Sequence, residues 1–347
     1  MSRVVAIILH GLPSGMPGPL EQSFEATRAA NARQQAAGFE AAGATARVLE
    51  VAPGGAPFGA RLRRLAALDD DAGIVILGSG SIPLALPADW ETFVAAARRP
   101  GGPVVANNRY SADCVAMPPD VDLRDLPDLT ADNGLPRWLA GMGRDVRDLR
   151  GRWRLQVDLD SPIDAFLTGL DEPSDESFER VRAAAEALRR VANNPQQELL
   201  VSGRTSSTTL RWLERSTASR TRSLVEERGL KTAVAGQRPV RSALGLLLDR
   251  DGPGALGSII GELADGAVID TRVLLAHRLG VDETAWPAAE DRFASDLLHF
   301  AAVRDPWLRE LTRAASEAPI PILLGGHTLV GPGLRLTFGR TRPARAA

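Results

Sequence analysis

A chain of 347 residues, 44% apolar and 24% charged, holds enough apolar material for one large or two ordinary domains, and two are expected. Its net charge of -2, with Arg and Asp/Glu interspersed, provides no basic footprint for nucleic acid. No apolar run approaches the ~18 residues of a membrane span, so neither nucleic acid nor membrane is an expected partner, while nothing excludes a homo-oligomer.

The opening "MSRVVAIILHG" has too short an apolar run for a signal-peptide core and reads as a first strand. Cys114 is the sole cysteine, so no internal disulfide can form, and a cytoplasmic location is the default expectation. Lys231 is the sole lysine, which excludes any mechanism needing a catalytic lysine in the first half.

In chain order, strand-like "RVVAIIL" precedes an Ala-rich helix from about Leu20 to Ala42. Then come "ARVLEVA", helical "PFGARLRRLAAL", "GIVILG", the helix "PADWETFVAAARR" and "PVVAN". Strands separated by helices of this length predict a three-layer, mostly parallel sheet. "DCVAMP", a short helix at "NGLPRWLAGMG", and the apolar segments "DVRDL" and "RWRLQVDL" break the alternation and predict a small antiparallel or mixed extension. The domain boundary is expected near Asp171, with "DEPSDES" as linker and Ser174 or Asp175 capping the helix "FERVRAAAEALRRVA". Residues 172–339 again mix strands ("ELLVSG", "GAVID", "IPILLGG") with helices ("STTLRWLER", "RSALGLLLD", "DPWLRELTRAASEA") and predict a second α/β domain. Residues 340–347 read as a disordered tail.

Ligands of open α/β sheets bind beyond the carboxyl ends of the strands, so four loops are expected to converge. In "HGLPSGMPG", Gly11, Ser14 and Gly15 could let backbone amides approach a phosphate, though the loop matches no dinucleotide or Walker pattern. Gly78, Ser79, Gly80 and Ser81 form a small-residue loop with exposed amides and hydroxyls. "NNRYSAD" gathers Asn107, Asn108, Arg109, Ser111 and Asp113. Arg109 could hold a phosphate bidentately, and the same pattern also fits a turn built on Asn. In "RLQVDLDSPIDAFL", Asp158 and Asp160 would point the same way from a strand and could share a hard cation such as magnesium. Alternatively, Asp160 caps the helix beginning at Ser161 and Pro162.

Taken together, "LGSGSIPLALPADWETFV", "VVANNRYSADCVAMPP", "DNGLPRWLAGMGRDVRDL" and "RWRLQVDLDSPIDAFL" resemble, in order and spacing, the glycosyltransferase-A-like nucleotidyltransferases. The likeness is greatest to the 2-phospholactate and molybdenum-cofactor guanylyltransferases. It covers about residues 1–170, and "DLDSPIDAF" is its strongest match. It implies a nucleotide or phosphorylated small molecule as ligand and magnesium held by Asp158 or Asp160, which would stabilise charge during an in-line displacement. Two departures stand out. The family's "D-x-P" aspartate is replaced by "GSGSIP", and the basic Gly-rich N-terminal loop is missing; either another carboxylate substitutes, with Asp113 the best-placed candidate, or the domain binds a ligand without transferring a nucleotidyl group.

The second half carries its own polar set. "LLVSGRTSSTTL" would aim Arg204, Thr205 and Ser206 at an anion where a strand runs into a helix. Glu227, Arg228, Arg241, Ser242, Asp270, Arg272, Arg292, Asp296 and His327 are further candidates for phosphate or carboxylate recognition, with His327 as a candidate acid/base. His277 and His299 lie on apolar helical stretches and read as structural. The expected function is a nucleotidyltransferase-like binder of a nucleotide or phosphorylated metabolite, with magnesium if it transfers a nucleotidyl group. The alternatives are a catalytically degenerate ligand-binding or regulatory protein with any chemistry in the C-terminal half, or a glycosyltransferase.

Overall fold

The computed structural model describes residues 2–69, 71–130, 132–170, 178–227 and 238–339. The expected boundary at Asp171, its linker with the Ser174 or Asp175 cap, Arg228 and the tail 340–347 lie outside the described residues. The chain forms two compact α/β units that divide between Leu159 and Asp160, with Gly18–Glu21 grouping with the second. No described helix is long and apolar enough to cross a membrane.

The first unit carries strands β1 (Val4–Gly11), β2 (Thr45–Val51), β3 (Gly73–Gly78), β4 (Val104–Ala106), β5 (Cys114–Met117) and β6 (Val146–Asp148). They form one sheet in the order β2-β1-β3-β5-β4-β6, with only β5 antiparallel to its neighbours. Successive side chains leave a strand on opposite faces. Val4, Ala6 and Ile8 accordingly pack with Phe39 and Phe93 on one side, and Val5 and Ile7 pack with Leu62 and Leu139 on the other. Burial on both faces is why β1 and β3 read as continuous apolar runs.

Two expectations in this half need correction. "DCVAMP" does not extend the sheet; β5 is inserted between β3 and β4. "RWRLQVDL" is not a strand: Trp153–Gln156 is a single 3-10 turn, and only Asp158 makes a bridge, to Ser81. Its apolar alternation comes from Leu155, Val157 and Leu159, all buried along an irregular stretch of chain. A period-2 pattern can report burial without ladder pairing.

The second unit carries β7 (Glu198–Gly203), β8 (Arg220–Val225), β9 (Gly266–Asp270) and β10 (Ile322–Gly325), all parallel in the order β10-β9-β7-β8. Leu199, Val201 and Val268 pack against helix Glu179–Ala192. Leu200, Ala267 and Ile269 pack against helices Ala243–Asp251, Leu256–Leu263 and Pro306–Ser316 on the other face. β8 escaped the sequence reading because "RTRSLV" is an edge strand with its arginines in solvent, and Arg222 pairs with Glu198 at 2.9 Å. Charge on an edge strand is a common guard against pairing with another chain.

Candidate functional site

Each unit presents polar groups where its parallel strands end. In the first, a cavity of about 200 Å³ lies at the carboxyl ends of β1, β2 and β3. Leu9, Val51, Phe58, Ile76 and Val115 give it apolar walls, while Gly11, Gly78, Arg61, Asp113 and Asp132 supply the polar rim. A pocket of this size suits a ring-sized fragment of a ligand rather than a large molecule.

The Gly78–Ser81 loop beside it is held from helix Pro19–Ala41. Asn31 Nδ2 donates to the carbonyls of Ser79 and Ser81 at 2.7 and 3.2 Å, and Gln35 Nε2 donates to those of Gly78 and Ser81 at 3.1 and 2.6 Å. Ser79 Oγ lies 3.0 Å from His10 Nδ1, whose Nε2 lies 3.1 Å from Glu25 Oε1, and Arg28 Nη2 donates to the same hydroxyl at 3.1 Å. The consistent proton order runs from Arg28 to Ser79 to His10 to Glu25. Its resemblance to a nucleophile-base-acid array ends with access, because Ser79 is 0% exposed. A serine that no substrate can touch is a lock for the loop.

Arg28 is the residue the sequence did not disclose, being one polar position among many on an Ala-rich helix. A Cβ on Gly11 would stand 3.7 Å from its Nη2, so the guanidinium sits between the Gly11 and Ser79 loops. Its Nε is buried without a hydrogen-bond partner. Ser14 and Gly15 are exposed, with Gly15 at φ 80° in a turn.

Most of "NNRYSAD" holds backbone. Asn107 Oδ1 accepts from Asp113 N and Cys114 N at 3.0 and 3.1 Å, and its Nδ2 donates to Asp113 Oδ2 and to Leu155 O at 3.1 and 3.0 Å. Asn108 Oδ1 accepts from the amides of Tyr110 and Ser111. Arg109 has no ion pair among the described residues.

The magnesium expected from the resemblance requires carboxylates free to converge. Asp158 belongs to the first unit and Asp160 to the second. Asp113 Oδ2 accepts from Asn107, and Asp160 Oδ2 lies 3.0 Å from His327 Nδ1. No group of three or more His, Cys, Asp or Glu suited to a metal occurs among the described residues. The alternative role of Asp160 as helix cap is not met either: Ser161 occupies the position before helix Pro162–Thr168, and Asp164 Oδ2 accepts from the backbone amides of Asp160 and Ser161.

In the second unit the strand ends assemble a dense charge cluster. Arg204 follows β7 and clasps Asp270, the last residue of β9, through Nε and Nη2 at 2.6 and 3.1 Å. Arg272 clasps Asp296 through both terminal nitrogens at 2.5 and 2.7 Å, with both side chains buried. His327 follows β10 and meets Asp160. Burial opposes ionisation of Asp160, but the His327 hydrogen bond and the nearby charges of His327, Arg204 and Arg272 outweigh it. They hold the carboxyl well below the usual range.

Asp164 goes the other way. Burial first, then the charges of Asp160 and Asp296, push its carboxyl well above the usual value, and its Oδ1 is buried without a partner. The folded state therefore keeps a proton that the unfolded chain releases above about pH 4. This contribution to stability is complete at acid pH and is lost at about 1.4 kcal/mol per pH unit until the folded carboxyl itself ionises. Asp164→Asn retains an acceptor for Ser161 and should remove that slope. Urea unfolding across pH checks it, and identical pH slopes in the two proteins would refute the assignment.

The remaining candidates have local roles. Ser206 and Ser242 cap helices by accepting from Thr209 N and Gly245 N, at 3.2 and 3.1 Å. His277 is buried, with Nδ1 accepting from Ser242 N at 3.0 Å, as a structural histidine would. Arg292 lies 5.8 Å from the Trp286 ring centroid, and Glu227 and Arg241 are exposed. Thr205 Oγ1 is buried without a partner.

The fold defines a two-unit α/β protein with a ligand-sized crevice in the first unit and a buried charge cluster in the second. Comparison with protein-family models, curated proteins and solved structures finds no match to this chain.

Proposed function

We propose that the first unit binds a nucleotide or phosphorylated metabolite in the manner of a nucleotidyltransferase-like domain. The observation that carries this reading is the cavity at the carboxyl ends of β1, β2 and β3, with the Arg28 guanidinium beside it between two Gly/Ser loops. Gly11 and Gly78 line the cavity, so a ring held there would carry its phosphate past Gly11 toward Arg28. Arg28 offers a fixed guanidinium charge in a half of the chain that has no lysine. No group of three metal-suited side chains occurs among the described residues and Asp160 is paired with His327, which supports binding over metal-assisted transfer.

Thermal-shift and calorimetric titration with nucleoside triphosphates and sugar phosphates, with and without magnesium, tests the reading. We expect saturable binding without magnesium, weakened roughly 10- to 100-fold by Arg28→Ala, since a charge-assisted hydrogen bond contributes about 1.5–3 kcal/mol. Absence of binding across the panel removes the reading. Binding that needs magnesium and is abolished by Asp158→Ala would reinstate the metal-dependent transferase.

A further inference from the structure

The cluster at the carboxyl edge of the second sheet has unused hydrogen-bonding capacity. Arg204 spends Nε and Nη2 on Asp270, which leaves Nη1 without a partner among the described residues, and its side chain is 15% exposed. His327 is 28% exposed and spends Nδ1 on Asp160, which leaves Nε2 without a partner among the described residues. Thr205 Oγ1, next to Arg204, is buried and unpaired.

These groups stand where an open parallel sheet binds ligands. β7 and β9 are adjacent, with β8 on one side and β10 on the other, so the strand order reverses between them, and Arg204 and Asp270 face each other across that point. The backbone is shaped for close approach there: Gly203 has φ 130°, and a Cβ on it would lie 2.2 Å from Asp270 Cβ.

We propose that this edge is a second ligand site, for a small hydroxy-carboxylate, with Arg204 Nη1 taking the carboxylate and His327 Nε2 hydrogen-bonding to the hydroxyl. The charge balance selects this class. Arg204 and Arg272 are offset by Asp270 and Asp296, and Asp160 adds a further negative charge beside His327. Two guanidiniums against three carboxylates leave no surplus positive charge for a polyanion, so the ligand is at most a monoanion held locally by the unspent Nη1. Asp160 Oδ2 engages Nδ1 of His327, which leaves Nε2 to pair with a hydroxyl, a group that can both donate and accept. The site uses residues of the second unit alone and does not depend on nucleotide binding in the first.

Histidine ring NMR of the full chain tests the proposal, with His327 assigned through His327→Gln. Glycolate, lactate and glycerate are the probes, with acetate and inorganic phosphate as comparisons. The hydroxy acids should move the His327 signals saturably, while acetate should bind at least about tenfold more weakly for want of one hydrogen bond. Arg204→Lys keeps a cation beside Asp270 but loses the free Nη1, and should weaken the hydroxy acids by roughly tenfold or more. Failure of all three hydroxy acids to move His327 overturns the proposal. So does an equal response in Arg204→Lys, or tighter binding of phosphate than of the hydroxy acids.

Discussion

Replacing Arg272 by Met should destabilise the second unit by about 3–5 kcal/mol, the usual result of removing one partner from a buried ion pair. Both partners are wholly or nearly buried, and Asp296 is 0% exposed. Burial pushes the Asp296 carboxyl above its usual value despite the paired guanidinium, so desolvation already strains the pair. Without Arg272 the carboxylate must stay buried unpaired or take up a proton, and both options are costly. The double replacement Arg272→Met with Asp296→Leu should recover most of the loss, because two apolar side chains of similar volume need no compensating charge. Urea unfolding of the two variants reads this directly. A single variant as stable as the parent would show that the pair carries no such weight.

Gly203→Ala should cost roughly 3–5 kcal/mol, the sum of backbone strain at φ 130° and overpacking against Asp270. The position has two demands that only glycine meets together. Its backbone turns in a region closed to L side chains, and the Asp270 Cβ fills the space where its own Cβ would stand. The loss should appear in unfolding midpoints, and the Arg204 to Asp270 clasp should be displaced with it. By contrast, Gly101→Ala, at φ 68° with nothing near the new Cβ, pays strain alone and should lose about 1–2 kcal/mol.

Much of the fold was legible because parallel strands buried on two faces leave unbroken apolar runs. "GIVILG", "ELLVSG" and "GAVID" fall on β3, β7 and β9 to the residue. What escaped were segments whose pattern has a second cause. "RLQVDL" alternates because three of its side chains are buried, without strand pairing, and "RTRSLV" hides an edge strand behind its charges.

The candidate residues show the same division. Chemical type located the loops, since Gly, Ser, Asn and Asp gather where strands end. Type did not separate groups with a free valence from groups spent on the fold. Asn107, Asn108, Ser206 and Ser242 hold backbone, whereas Arg28 gave no sign on its Ala-rich helix and stands beside the crevice.

The amino-acid sequence by itself determined the α/β class and the strand-end placement of Gly78 to Ser81, Arg204, Asp270 and His327, because burial periodicity and loop chemistry are local properties. Only the tertiary structure decided the partners. It assigned Asp158 and Asp160 to different units, set Asp160 against His327, and left Arg28 Nε and Thr205 Oγ1 unpaired. Pairing depends on which distant strand ends become neighbours. Arg204 meets Asp270 across 66 residues of chain, a contact that neither residue's local sequence encodes.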